Sequence, residues 1–243
     1  MDSMRKTALV AGVLFIITFV ASIGAVVAYG PALSDSRYVV GAGADTRAFL
    51  GAFLELILII ANIGTAVALF SILKRQHEGL ALGFVIARVF ESAFILIGIL
   101  SVLTIVTLRQ QAAAADAASL LTVGKSLVAI HNWAFLLGPG FVVGIGNGLI
   151  LGYLMYRSGL VPRQMALFGL IGGPLLVASG IAVLFGVIPQ WNVWQAIATV
   201  PEIIWEAFLA LYLTFHGFRA AAITSADTRP LGMSQTAAAV AAG

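Results

Sequence analysis

The chain has 243 residues and a net charge of +3; 61% of its residues are hydrophobic and 9% are charged, against about 25% charged in an average soluble domain. A soluble fold cannot bury so much apolar surface, and the lack of cysteine excludes disulfides, thiolate metal sites and cysteine nucleophiles. The basic residues occur singly or in pairs at the ends of apolar runs, which argues against a nucleic-acid-binding surface. Runs of about 20 apolar residues predict an all-α integral membrane protein embedded in the lipid bilayer.

Six membrane-spanning helices are predicted when polar and Gly/Pro clusters are taken as boundaries. The first apolar run follows Arg5 and Lys6, as in a signal peptide, but it is longer than a signal core of about 7–15 residues, so we expect an uncleaved span. The spans form a single domain over residues 1–219, and the polar, low-complexity residues 220–243 are predicted to be a disordered cytoplasmic tail. The predicted spans are residues 7–29, 48–73, 79–108, 126–156, 165–188 and 196–218.

The distribution of basic residues predicts that both termini are cytoplasmic. In that orientation the cytoplasmic segments carry eight Lys and Arg residues and the opposite segments carry four, and cytoplasmic loops are known to retain the larger share. We therefore expect a multi-pass protein of the cell inner (plasma) membrane. The eight are Arg5, Lys6, Lys74, Arg75, Arg157, Arg163, Arg219 and Arg229, and the four are Arg37, Arg47, Arg109 and Lys125.

The fourth span has a glycine at every fourth residue on one helical face. Small residues at this spacing allow two helix backbones to approach closely, either within one chain or between chains of a homo- or hetero-oligomer. Pro139 precedes most of this ridge and is expected to kink the span. The ridge consists of Gly140, Gly144, Gly148 and Gly152.

Six acidic or basic side chains lie well within the predicted spans, away from the span ends, although an unpaired charge at the bilayer centre costs about 3 kcal/mol. The five carboxylate and guanidinium groups left alone would cost on the order of 15 kcal/mol, as much as the whole stability of a typical domain. They must therefore face the bundle interior, pair, or be neutral. Helical spacing places Arg88 beside Glu91, and Glu202 beside Glu206, on shared faces. The six are Glu55, Arg88, Glu91, His131, Glu202 and Glu206.

In the predicted topology these six residues occupy one polar layer, from the outer third of the membrane to its middle, with Asn62 as a hydrogen-bonding neighbour. One arginine stabilises one or two ionised carboxylates, so the other acids are expected to be partly protonated. A neutral acid near water is a candidate proton donor, and Glu91 and Glu206 are the candidate catalytic residues. The alternative is structural: Arg88 and Glu91 form a pair within a network that fixes helix packing.

Metal and nucleophile chemistry receive little support from the residue pattern. His131 is the only histidine in the polar layer and no HxxxH or ExxH spacing occurs there, so we predict no metal site and no cofactor. No serine lies in a recognisable nucleophile turn.

A short similarity between the halves of the chain suggests an internal repeat. Span three contains "RVFESAF" and span six contains "EIIWEAF", each with an aromatic residue before a glutamate. With three spans in each half, the halves would be inverted in the membrane, as in secondary transporters that bind their substrate near the midplane.

Four segments carry a resemblance to a known family: "RKTALVAGVLFIITFVAS", "GLALGFVIARVFESAFILIGILSVL", "SGLVPRQMALFGLIGG" and "PEIIWEAFLALYLTFHGF". In these segments the chain resembles a bacterial family of six-span membrane proteins catalogued as domain of unknown function 4386. The resemblance implies the fold and the membrane location, and acidic residues at the positions of Glu91 and Glu206 are typical of it. It implies no activity.

Three functions remain open at this point. The first is the binding or transport of a small amphipathic or lipid-like molecule at the polar layer. The second is an intramembrane enzyme that uses Glu91 or Glu206 as an acid on an isoprenoid or another lipid, by analogy of architecture alone. The third is a structural or regulatory subunit that docks through the glycine ridge.

Overall fold

The computed structural model describes residues 3–35, 37–41, 45–111 and 117–219. This part of the chain forms six long helices, which we number α1 to α6 in chain order, and contains no strand. All six are long and apolar enough to cross a bilayer, which confirms the predicted all-α, multi-pass architecture. The predicted disordered tail, residues 220–243, lies outside the described residues. The helices are α1 Ser3–Ser34, α2 Asp45–Leu73, α3 Glu78–Gln110, α4 Ala117–Ser158, α5 Arg163–Leu184 and α6 Val193–Phe215.

Local signals in the sequence set several helix ends. His77 precedes α3 and its Nδ1 accepts a backbone N–H at 3.1 Å, while Asn192 precedes α6 and its Oδ1 accepts one at 2.9 Å. Such caps satisfy amide groups that have no partner within the first turn of a helix. Gly186 adopts a left-handed φ of 69° just after α5, so this helix ends earlier than the predicted span.

The helices form a closed ring in chain order, in which each packs against the next and α6 packs against α1. The last contact is close at Gly12, where a Cβ atom would lie 2.9 Å from the Leu213 carbonyl carbon. Arg5 donates hydrogen bonds to the carbonyl oxygens of Leu213 at 2.9 Å and Thr214 at 2.7 Å. The start of α1 and the end of α6 therefore lie at the same end of the ring. Which side of the membrane this is, and the inverted repeat, stay predictions.

Two apolar clusters fill the ring, one toward the end that carries the termini and one toward the opposite end. On α3 the first cluster reaches Phe84 and the second begins at Ile95, with Arg88 and Glu91 between them. On α2 the buried Asn62 likewise lies between residues of the two clusters. The fold thus confines these polar side chains to a layer that is sealed from both membrane surfaces by packed apolar side chains.

The fourth helix is widened in its middle. It is wound as a π-helix over Leu136–Val142 and again over Gly144–Leu151, with α-helix on either side. Pro139 lies in the first π segment. Because proline lacks an N–H and collides with the preceding turn of an α-helix, a wider turn accommodates it at the place where the sequence predicts a kink.

Most of the glycine ridge faces α5 of the same chain. A Cβ atom at Gly144 would lie 2.8 Å from the Gly173 carbonyl oxygen, and one at Gly152 would lie 3.2 Å from a backbone nitrogen of α5; Gly148 also abuts α5. The close backbone approach that this spacing favours is therefore made within the chain. The atoms nearest to a Cβ at Gly140 belong to its own helix, and association of chains through the ridge stays a prediction.

The orientation of the ring can be tested with reporter fusions. Alkaline phosphatase, which is active only outside the cytoplasm, should be inactive when fused after residue 219 and active when fused after residue 111, because the end with the termini carries more Lys and Arg. Green fluorescent protein should give the opposite pattern. Inverted results at both sites would contradict the orientation, and equal results would contradict the antiparallel course of the helices.

The contact between α4 and α5 can be tested with a matched pair of glycine substitutions. Gly173→Ala should lower the free energy of unfolding by about 1–3 kcal/mol, because its Cβ would lie 2.8 Å from the Leu149 backbone nitrogen. In Gly30→Ala the new Cβ meets nothing within 4 Å, so the unfolding free energy should not fall. Thermal unfolding in detergent compares the two, and equal stability would contradict the close approach.

Candidate functional site

Arg88 lies at the centre of the polar layer. Its Nη1 donates to Glu91 Oε2 at 2.6 Å, and the Arg88 side chain is only 3% exposed. The guanidinium lies 5.5 Å from the centre of the Phe15 ring and 5.9 Å from that of Phe84, so two aromatic rings supply further favourable contacts for the cation. The i,i+3 spacing thus forms the buried pair that the sequence predicts.

Glu91 is bonded on both of its oxygens. While Oε2 accepts from Arg88, Oε1 accepts from the Asn62 side-chain amide at 2.9 Å. Thr65 donates to the Asn62 backbone oxygen at 2.7 Å one turn along α2. A carboxylate bonded in this way by a guanidinium and an amide has the partners that a buried anion requires.

Glu206 reaches the same guanidinium from α6. Its Oε1 lies 3.8 Å from Arg88 Nη2, which is an ionic contact beyond hydrogen-bond range, and also accepts a hydrogen bond from the Asn147 side-chain amide. Asn147 lies in the second π-helical segment, and its backbone oxygen accepts the Trp205 indole N–H at 3.1 Å. Two neighbouring side chains of α6 therefore hold this turn of α4. The Glu206 side chain is 21% exposed, more than that of Arg88 or Glu91.

Among Glu91, Glu202 and Glu206, Glu202 is the acid without a hydrogen bond in the described part of the chain; Arg88 Nε and Nη2 and Asn147 Oδ1 are also buried without one. Both carboxyl oxygens of Glu202 are buried, and neither has a hydrogen-bond partner among the described residues. The group lies in a space left by two glycines: a Cβ atom at Gly148 or at Gly172 would come within 2.8 or 2.9 Å of its Oε2. It is also within electrostatic reach of Arg88 and Glu206. An ionised carboxylate in this position would be costly unless a proton or a ligand satisfied it.

We call these six side chains the central layer. It holds three carboxyl groups and one guanidinium, and Glu91 already makes the short bond to that guanidinium. The remaining two acids are therefore short of positive charge. The members are Asn62, Arg88, Glu91, Asn147, Glu202 and Glu206.

Glu55 and His131 belong to a second group, which we call the outer cluster together with Tyr29. The Tyr29 hydroxyl donates to Glu55 Oε2 at 3.0 Å, and the Tyr29 and His131 rings meet edge to face with 5.7 Å between centres. All three residues are buried. His131 Nδ1 has no partner that meets strict hydrogen-bond geometry among the described residues, although the Asn132 side chain lies close enough to hydrogen-bond the ring.

The structure thus divides the predicted layer into two groups. Glu55 and Asn62 share a face of α2 but are two turns, or about 10.5 Å, apart along the helix, so their bonding partners lie in different groups.

Two site residues, Asn147 and Tyr29, were not predicted from the sequence. An amide within an apolar run could have indicated Asn147, whereas Tyr29 at a span end looks like an interfacial aromatic residue.

A pocket lies near the outer cluster and not at the central layer. Its cavity volume is about 140 Å³, and it is enclosed by the end of α1, the short 3₁₀ helix Tyr38–Val40, α3 and α4. Its lining includes Ala32, Ile105 and Val128 but no member of the central layer. We call it the outer pocket.

A family model described as "Domain of unknown function (DUF4386)" matches residues 10–217, a stretch that extends from α1 to beyond α6. The family resemblance of the four sequence segments is thereby confirmed. No curated protein and no solved structure matches the chain. The match supports a multi-pass membrane protein and adds no substrate or reaction.

The role of Arg88 in stability can be tested by removing its charge. Arg88→Met should lower the free energy of unfolding by about 3–5 kcal/mol, because it leaves the buried Glu91 and the partly buried Glu206 without a cation. The double variant Arg88→Met/Glu91→Gln should recover part of that loss. Unfolding in detergent measures both.

Arg47→Met serves as the matched control, since this exposed arginine donates to the Val27 carbonyl oxygen and its loss should cost less than about 1 kcal/mol. If Arg88→Met were as stable as Arg47→Met, the central ion pair would not hold the bundle together.

Proposed function

Since the chain belongs to the DUF4386 family of multi-pass membrane proteins, we propose that it binds a small amphipathic or lipid-like molecule at the central layer and transports it across the membrane. The polar head of this molecule carries an ammonium group or another hydrogen-bond donor. We further propose that the membrane is the cell inner (plasma) membrane, because the basic residues are concentrated at one end of the ring.

The unpartnered carboxyl group of Glu202 carries the proposal. A buried carboxyl that no neighbour bonds is satisfied either by a proton or by a donor from outside the chain. Arg88 does not bond Glu202 in this structure: its hydrogen bond is to Glu91, and its Nε and Nη2 have no hydrogen-bond partner among the described residues. A cationic or donor head group supplies the charge and the hydrogen bonds that the layer is short of.

The exposure of Glu206 supports entry of the ligand into the central layer from the lipid-facing side of the bundle. Glu206 is the most exposed acid of the central layer, and its helix neighbours Ile203 and Ile204 are exposed apolar side chains. An amphipathic molecule would keep its apolar body in contact with such lipid-facing side chains while its head reaches Glu206 and then Glu202. A purely hydrophilic solute would have no comparable route.

The π-helical segment of α4 supports movement at the site. Asn147 connects this segment to α6 through its amide and its backbone oxygen. Wider turns interrupt the regular α-helical bonding and are frequent at functional sites. A head group that replaced Asn147 as the partner of Glu206 would loosen the contact between α4 and α6, which links binding to a change in helix packing.

Binding is tested by analysing the small molecules that co-purify with the protein in lipid nanodiscs. A species enriched on wild-type protein over the bulk lipid should fall at least tenfold in Glu202→Gln, because the neutral amide removes the acidic group while keeping its shape. Glu55→Gln is the matched control: it makes the same change in a buried glutamate outside the central layer and should retain the species.

The recovered molecule then distinguishes transport from acid catalysis. In proteoliposomes loaded on one side, transport predicts counterflow of the unchanged molecule, which Glu202→Gln abolishes. A product of altered mass that Glu202→Gln or Glu206→Gln no longer forms would favour an enzyme instead. Equal retention of the species in wild type, Glu202→Gln and Glu55→Gln would overturn binding at the central layer.

A further inference from the structure

We propose that the outer pocket and the outer cluster together form a water-accessible proton-binding site, with His131 as the group that takes the proton. The site opens at the end of the ring opposite the termini and is separate from the central layer. This inference does not rest on the proposed function, because water and protons can reach His131 whether or not the chain transports a ligand.

The helical register places the outer pocket directly above the outer cluster. Ala32 lines the pocket and Tyr29 lies one turn below it on α1; Val128 lines the pocket and His131 lies one turn below it on α4. Three residues of helix correspond to about 4.5 Å, which is less than two water diameters. Two helices therefore bring the same cluster close to the floor of the same pocket.

The pocket is large enough for water. Its cavity of about 140 Å³ compares with roughly 30 Å³ for one molecule of liquid water, so a short chain of waters fits. Asp35 and Lys125 line it as well, and both are exposed side chains that interact well with water. The pocket therefore provides a polar entrance above a buried histidine.

His131 has the chemistry of a proton acceptor that lacks its partner. Its Nδ1 is buried without a hydrogen bond among the described residues, and buried imidazole nitrogens normally have one. On α3 the ring faces Gly98, where a Cβ atom would come within 3.4 Å of it, so the absence of a side chain there leaves room for the imidazole. Water entering from the pocket would supply the missing bond.

Charged and titratable groups surround His131 on several sides. Tyr29 of α1 meets its ring, Glu55 of α2 accepts the Tyr29 hydroxyl, and Asp35 and Lys125 lie at the pocket. When a hydronium ion transfers a proton to the Nδ1 lone pair, water remains and the ring becomes an imidazolium. Tyr29 connects this ring to the Glu55 carboxyl, through its ring contact with the imidazole and its hydroxyl hydrogen bond to Glu55.

Water access is tested by cysteine labelling, for which the cysteine-free chain is an ideal background. Single variants Val128→Cys, His131→Cys and Ile99→Cys are reacted in proteoliposomes with 2-aminoethyl methanethiosulfonate, with a thiol scavenger trapped inside. The reaction of Val128→Cys shows how fast the reagent reaches the outer pocket and from which side of the membrane it does so. Ile99→Cys is the matched control, since Ile99 is also buried and lies next to Gly98 on α3 but does not line the outer pocket.

We expect His131→Cys to react within about tenfold of the rate of Val128→Cys, from the same side, and at least tenfold faster than Ile99→Cys. Adding Val128→Trp to fill the pocket should slow His131→Cys at least tenfold. The proposal would be overturned if His131→Cys reacted no faster than Ile99→Cys. It would also be overturned if adding Val128→Trp did not change the reaction rate of His131→Cys.

Proton binding is tested on the unmodified protein. In nanodiscs with isotope-labelled histidine, the His131 imidazole signals, assigned by their loss in His131→Asn, should change as the pH is lowered from about 8 to 5. Signals from His131 that stay constant over this pH range would overturn the proposal. Neither result depends on Glu202, so a failure here is distinguishable from a failure of the proposed function.

Discussion

A guanidinium buried inside the bundle needs partners that compensate its charge, and the rest of this structure depends on how Arg88 meets that requirement. It takes Glu91 from its own helix as its short-range partner and draws Glu206 from α6 as a second. The first contact needs only helical geometry, but the second joins the two halves of the chain. One cation therefore holds α3 against α6, although these helices are not neighbours in the ring.

Bringing α6 close to Arg88 requires unusual features in α4 and α5. The wide turns of α4 place Asn147 where it bonds Glu206 and Trp205, and glycines at the contact of α4 with α5 remove the side chains that would keep the backbones apart. The same absence of side chains at Gly148 and Gly172 leaves space for the Glu202 carboxyl. The glycines thus account both for the close packing of α4 against α5 and for the space around the Glu202 carboxyl. For this reason we connect the central layer with ligand binding.

The two polar groups differ in how completely their charges are satisfied. In the central layer the surplus is acidic, because three carboxyl groups share one guanidinium. In the outer cluster Glu55 has a neutral donor in Tyr29, and the unsatisfied atom is the Nδ1 of His131. A group with more acids than cations favours binding of a positively charged ligand, whereas an imidazole next to solvent favours binding of a proton. The chain therefore separates along the bundle two groups of polar side chains that its sequence places in a single layer.

Much of the fold and one pair of the site could be predicted from local pattern. Apolar run length predicted six spanning helices, and the spacing of Arg88 and Glu91 predicted their bond, because both depend on residues near one another along the chain. The glycine spacing predicted a close helix contact but not its partner, since a ridge looks the same whether it faces the same chain or another. The pairing of Glu55 with Tyr29, and of Glu206 with Asn147, lay beyond reach, because each joins residues on different helices.

What the sequence by itself determined is therefore the class, the number of spans, the family and the necessity that the buried charges be compensated. Only the tertiary structure decided which acids share Arg88, that Glu202 has no partner among the described residues, and that His131 lies beneath a pocket. The physical reason is that hydrophobic length and helical periodicity are properties of one segment. The rotation and depth of each helix relative to its neighbours arise from packing of the whole ring.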